Sequence, residues 1–347
     1  MNEWLQNELH GGNIHVYQDC CDFSANLNPL GMPEAVRQNV IKNADLWAHY
    51  PDPDCRLLTA KLAEYEQTAP QKIVCGNGAD DLIWRTVQAL RPKRALILAP
   101  CFSEYRRALE AFGCEVESFA LDESSGFLPE EKLLAALHPS LDLVILCSPN
   151  NPTGRLIPTD LLRELSRICE ENRTYLLVDE CFLDLVPDGK MFSARRFMND
   201  LTIVLNAFTK TFAMAGLRLG YAVFGSTSTA EAVRKTGQYW SVSTPAQFAG
   251  LAALGQLEHL EKSRKLIASE RDFLMQRLRR PGLQVYPSDA NFLLFRARNG
   301  LRRDLIEEHI LIRSCENFEG LDGTFYRIAV RSHPENELLL AALRRCL

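Results

Sequence analysis

Leu143-Val144-Ile145-Leu146-Cys147-Ser148-Pro149-Asn150-Asn151 is followed, one helix-length later, by Tyr175-Leu176-Leu177-Val178-Asp179-Glu180-Cys181-Phe182. Each segment opens as a short, branched apolar run and ends abruptly in polar residues. Such continuous apolar runs suit strands of a parallel sheet, buried on both faces. Between them Leu161, Leu162, Leu165 and Ile168 recur at helical spacing behind Pro158-Thr159-Asp160, a helix start. Strand, helix and strand in this order make a βαβ unit.

The same alternation extends outward in both directions. Strands are expected near Lys72 to Cys75, Arg94 to Leu98, Glu115 to Phe119, Thr202 to Leu205 and Tyr221 to Phe224, which with the first two makes seven. The fold class is therefore α/β, a mostly parallel seven-stranded sheet with helices on both faces. From about Ser226 the pattern changes. One long helical stretch is expected from Ala246 to Leu278, then Pro281-Gly282, then short strands near Asn291 to Arg296 and Phe325 to Val330. We read this as a smaller α+β domain. The expected division is an N-terminal segment, 1–45, packing with the small domain, a large domain, 46–235, and the small domain, 236–347. No internal repeat or low-complexity linker interrupts it.

Composition narrows the function. The 347 residues carry 39 basic and 44 acidic side chains, a formal charge of −5, so no broad basic footprint invites nucleic acid or an anionic membrane. Any anion must be held locally. No apolar run approaches the roughly 18 residues of a spanning helix, and the polar start, Met1 to Glu8, lacks a signal-peptide core. A soluble, cytoplasmic protein is expected. The eleven cysteines are scattered, with no C-x-x-C pair, and are expected to be reduced and mostly buried; no structural metal site is expected.

In open parallel sheets a ligand sits beyond the carboxyl ends of the strands. Four polar groups lie there. Gly76-Asn77-Gly78-Ala79-Asp80-Asp81 precedes a helical pattern, where free N–H groups and the helix dipole favour an anion. Read alone it is a tight turn, and the missing G-x-G-x-x-G argues against a nicotinamide dehydrogenase. Ser148-Pro149-Asn150-Asn151-Pro152-Thr153-Gly154 is, by itself, a proline-rich turn. Asp179 closes a buried strand, where a carboxylate needs a partner. Thr209-Lys210 lies between two strands, where partial burial would make a lysine a nucleophile toward an aldehyde. An anion cradle, an amide, a buried acid and a lysine are together what pyridoxal phosphate requires of a protein.

In this ordered set the chain resembles the fold-type I pyridoxal-phosphate enzymes of the class I/II aminotransferase superfamily, over nearly its whole length. The resemblance implies that Lys210 binds the cofactor aldehyde, Asp179 holds the pyridine nitrogen and Asn151 the phenolic oxygen. It implies that Arg218, Thr209, Gly78, Ala79 and Asp80 hold the cofactor phosphate; relatives often carry a hydroxyl where this chain has Ala207. Phe102 or Tyr105 would cover the cofactor ring, Phe102 being preferred. Tyr50 matches a tyrosine that reaches the neighbouring subunit's cofactor phosphate, which implies a homodimer with shared active sites.

Two branches of the family share these residues. His10-Gly11-Gly12-Asn13, the segment Asp22 to Gly31, and Ile310-Leu311-Ile312-Arg313-Ser314-Cys315 resemble the threonine-phosphate decarboxylases. So does Phe182, where the histidinol-phosphate aminotransferases usually have tyrosine. The resemblance implies a cobalamin-related decarboxylase acting on a small phosphorylated amino acid. Arg327 would receive the substrate carboxylate, Arg313 would bind substrate too, and His10, Gly11, Asn26 and Asn151 would line the site. Arg331, read as four residues further along the same strand face, could serve either anion. The aminotransferase is the alternative, and a non-catalytic pyridoxal-phosphate-binding regulator is a remoter one.

Overall fold

The computed structural model describes residues 10–279 and 282–347. The polar start, 1–8, and Pro281 lie outside them. The chain begins with a short strand β1 (Cys21–Asp22) and helices α1 (Glu34–Lys42) and α2 (Arg56–Glu66). Then come β2 (Ile73–Gly76), α3 (Gly78–Leu90), β3 (Arg94–Ala99), α4 (Ser103–Ala111), β4 (Glu115–Ala120) and β5 (Leu143–Cys147). They are followed by α5 (Thr159–Glu171), β6 (Tyr175–Asp179), β7 (Thr202–Ala207), the short α6 (Phe208–Thr211) and β8 (Gly220–Phe224). The remainder is α7 (Thr227–Arg234), α8 (Thr244–Ala253), α9 (Leu257–Arg277), β9 (Gln284–Val285), β10 (Phe292–Arg296), α10 (Leu301–Glu307), β11 (Ile310–Leu311), β12 (Arg313–Ser314), β13 (Phe325–Ala329) and α11 (His333–Cys346).

Seven strands form one sheet in the order β2-β8-β7-β6-β5-β3-β4, each within two residues of its expected bounds. β8 alone runs against its neighbours. Its first residue, Gly220, therefore sits in register with Gly76 and Ala207, the last residues of β2 and β7. The carboxyl ends of β2, β3, β5, β6 and β7 all open on that edge. β5 is buried at every residue because helices cover both faces, whereas the edge strand β4 keeps charged Glu115 and Glu117 that discourage pairing with another chain. Helix α5 buries Leu161, Leu162 and Leu165 on the sheet, as their spacing predicts.

The long helical stretch expected from Ala246 to Leu278 is two helices. It breaks at Leu254-Gly255-Gln256, where Gly255 has no side chain to hold a helix and turn bonds close instead, Gly255 N to Ala252 O at 3.2 Å and Gln256 N to Ala253 O at 2.9 Å. α8 then packs with Leu58 of α2 and Tyr221 and Val223 of β8, while α9 delivers Leu274 to a second core. That core gathers Phe295, Ile328, Leu339 and Leu343 under the four-stranded sheet β12-β13-β10-β9. Phe23 joins it, because β1 pairs in parallel with β11. Helix α1, by contrast, places Val36 in the core shared with α8. Among the described residues no helix is long and apolar enough to cross a membrane.

Candidate active site

A cavity of about 480 Å³ opens where the sheet's polar edge faces the smaller sheet. Ala79 and Asp80 follow β2, Phe102 follows β3, Asn151 follows β5, Phe182 follows β6, and Lys210 follows β7; all line it. Gly78, at the first position of α3, has φ +83, and a Cβ there would stand 2.5 Å from Arg218 Nη2. A Cβ on Gly220 would stand 2.6 Å from Ala79 N. The glycines thus let the Arg218 guanidinium lie on the amino end of a 13-residue helix, where N–H groups and the dipole add to its charge. Asp80 Oδ1 is buried there without a hydrogen-bond partner, and burial, then the Glu104 charge, push its carboxyl above the usual range.

Asp179 is buried at the end of β6. Its Oδ2 accepts from Tyr105 OH at 2.6 Å and its Oδ1 from Cys181 N at 2.9 Å. Tyr105 is fully buried and edge-on to Phe102, with centroids 5.6 Å apart, and its hydroxyl fixes Asp179. Phe102 and Tyr105 both line the cavity. Glu180, next in sequence, turns to a different pocket, where burial pushes it up to about 8 despite donors from Ser193 and Ala194.

Lys210 lies at the cavity floor, 5.9 Å from the centre of the Phe182 ring. Its ammonium is pushed down to about 8, by burial first and then by the charges of Arg327 and Arg218. Thr209 is buried beside it. The N-terminal segment buttresses this turn: Asn28 N donates to Lys210 O at 3.0 Å, and Asn28 Nδ2 to Thr211 O at 2.7 Å.

On the opposite wall Arg313 and Arg327 are cross-strand partners on β12 and β13. Arg327 is buried and pushed down to about 10 by that burial. It donates to Asn151 Oδ1 and, at 2.8 Å, to Ser24 O. In the orientation that satisfies both groups, the Asn26 amide oxygen accepts from Arg327 Nε at 3.2 Å. Among the described residues no carboxylate lies within ion-pair distance of Arg327. A buried cation held only by neutral acceptors is prepared for an incoming carboxylate. Arg313 donates to Asn317 at 2.6 Å and lies over the Phe318 ring.

His10, Gly11 and Asn26 also line the cavity. Arg331 does not. β13 ends at Ala329, so strand alternation no longer applies, and Arg331 pairs with Glu335 in the first turn of α11. Tyr50 is also elsewhere, 80% exposed and stacked on Trp240 with centroids 4.5 Å apart. The sequence reading passed over Ser24, Glu104, Arg107 and Phe318, which line the cavity as well. Ser24 and Glu104 lie within or beside quoted segments, whereas Arg107 and Phe318 carried no signal in the sequence.

The set fits a phosphorylated aldehyde with a basic ring nitrogen: an amine with a lowered pKa, a buried carboxylate, an amide and a glycine-lined anion cradle. Comparison with known proteins agrees. The family model for aminotransferase class I and II matches residues 18–344. The chain belongs to that family. Threonine-phosphate decarboxylase of Salmonella typhimurium is 39% identical over 99% of this chain and 98% of its own. A Leptospira interrogans protein described as adenosylcobalamin biosynthesis bifunctional protein CobDQ is 30% identical over 96% of this chain and 40% of its own. Among solved structures, the histidinol-phosphate aminotransferase from Clostridium acetobutylicum superposes with a TM-score of 0.86 at 29% identity, covering 93% of this chain and 98% of that one. In this class I/II family member the apolar ring of Phe182 faces Lys210, where a tyrosine would have put a hydroxyl.

Proposed function

We propose that the chain is a pyridoxal-phosphate-dependent carboxy-lyase that converts O-phospho-L-threonine to (R)-1-aminopropan-2-yl phosphate and carbon dioxide, a step of cobalamin biosynthesis. The observation that carries it is Arg327: a buried guanidinium with no carboxylate at ion-pair distance among the described residues, across the cavity from an amine of lowered pKa. Whole-length similarity to a threonine-phosphate decarboxylase supports the substrate, and the CobDQ relative supports the pathway.

Pyridoxal phosphate, when bound, supplies an electron sink for the pair released as the carboxylate departs. The residues do the rest. The α3 amino end, Arg218 and Thr209 would hold the cofactor's phosphate, and Asp179, positioned by Tyr105, would hold a proton on the pyridine nitrogen. Asn151 would serve the phenolic oxygen, while its Oδ1 steadies Arg327. Arg327 and Arg313 bind the substrate's anions, and Lys210, its ammonium pushed down to about 8, would hold the cofactor by its aldehyde and is the group placed to supply a proton at Cα.

The enzyme acts as a homodimer with shared sites: Tyr50 lies outside its own chain's cavity with an exposed aromatic face available to a second copy. Eleven unpaired thiols support a cytoplasmic location. The test is incubation of the yellow enzyme with O-phospho-L-threonine and no keto acid. Repeated turnover to carbon dioxide and the phosphorylated amine is expected. No carbon dioxide, with amino transfer from histidinol phosphate to 2-oxoglutarate, would replace this reading by the aminotransferase one.

A further inference from the structure

One carboxylate at the cavity wall has no part in the chemistry above. Glu104, in the first turn of α4, is 4% exposed and borders the cavity beside His10 and Arg107. Its Oε1 lies 3.0 Å from His10 Nε2. Arg107 Nη1, one turn along the same helix, donates to its two oxygens at 3.4 and 3.3 Å. A buried negative charge beside a site for a phosphorylated substrate repels that substrate unless it is committed to other groups.

Its partner comes from the far side of the cavity. His10 precedes Gly11, where a Cβ would stand 2.3 Å from Ser24 O, and Gly12, whose N donates to Ser24 Oγ at 2.7 Å. Ser24 O in turn accepts from Arg327. A continuous row of contacts thus runs from α4 through His10 and Ser24 to the buried arginine. The His10 side chain remains 47% exposed, its ring 5.7 Å from that of Phe102.

We propose that Glu104 is a positioning residue for the substrate's phosphate ester: it fixes His10 at the cavity wall by Nε2 and leaves Nδ1 to meet the phosphate. This rests on the phosphorylated-substrate reading above. With Nε2 turned to Glu104, Nδ1 is the ring nitrogen left for the phosphate. The arrangement therefore rewards a phosphate ester long enough to reach it and gives little to the bare hydroxyl.

The experiment uses the holoenzyme and the variants Glu104→Gln, His10→Asn and both together. Binding of O-phospho-L-threonine and of L-threonine is read from the shift in cofactor absorbance, alongside steady-state kcat and KM. Glu104→Gln is expected to weaken the phosphorylated ligand about tenfold, as for a lost charge-assisted hydrogen bond. KM should rise with it, while kcat, L-threonine binding and cofactor retention hold. His10→Asn should give the same selective loss, and the double variant no more than either single one. Equal losses for both ligands, additive losses, falling cofactor retention or tighter phosphate binding in Glu104→Gln would each overturn the proposal. Should Glu104→Gln not fold, His10→Asn decides alone, and unchanged selectivity refutes it. Should the wild type transaminate histidinol phosphate instead, the functional reading fails separately, and histidinol phosphate against histidinol becomes the deciding pair.

Discussion

Lys210 is the group whose charge the cavity sets most directly. Its pKa of about 8, against the ordinary 10.5, means that the neutral amine gains population from neutrality upward and predominates above about pH 8. Since the neutral form is the nucleophile, uptake of pyridoxal phosphate by cofactor-stripped protein is expected to accelerate up to about pH 8 and then level off, followed by visible absorbance. A rate still climbing steeply at about pH 10 would mean an ordinary lysine. Arg327→Ala should cost about 2 to 5 kcal/mol in kcat/KM while the cofactor stays bound, because the phosphate cradle of α3, Arg218 and Thr209 lies apart from Arg327 on the large sheet. Equal loss of cofactor and turnover would make the arginine a structural one. At this scale the gathering of Lys210, Asp179, Asn151, Arg313 and Arg327 around one cavity was legible, since each follows a strand end or a matched motif. The hydrogen bond from Tyr105 to Asp179 was not legible, because it joins residues 74 apart that only β6 brings together. Glu104 was missed because a glutamate three residues before an arginine reads as an exposed helical pair.

Elements carry the cradle through their ends. Gly220 is held between Gly76 and Ala207 by the reversed strand β8, and the atoms a Cβ would strike are backbone, at Gly78 and Ala79. Backbone cannot step aside as a side-chain tip can. Gly220→Ala is expected to cost about 1 to 3 kcal/mol of stability and to release the cofactor more readily. Thermal denaturation with equilibrium dialysis would check it, and a variant of normal cofactor affinity would show the cradle to be slack. The central strands were legible because burial on both faces writes itself as unbroken apolar runs, and β4 by the alternation of an edge strand. The break at Gly255 was not, since apolar spacing continues across it, and Arg331 was misplaced by carrying alternation past the end of β13.

For the whole molecule, the unspent feature is the aromatic group of Tyr50, Trp240 and Tyr239, exposed at 80%, 47% and 79%. No periodicity announces such a patch, because its members meet only after the large sheet has brought residue 50 beside residue 240. Sedimentation should give a dimer, and Tyr50→Ala should weaken cofactor retention without touching any residue of its own cavity. A fully active monomer would remove the shared-site reading.

The pairing of Cys21 with Ile310 also fixes an order of events. The first strand is made before the seven strands of the large sheet, and its partner after all of them and the helices around them. During synthesis the chain can complete that sheet and its lysine turn while β1 and the neighbouring Ser24 wait for β11 and β13. A nascent chain stopped before Ile310 would own the reactive amine with the strand that carries Ser24 still unpaired.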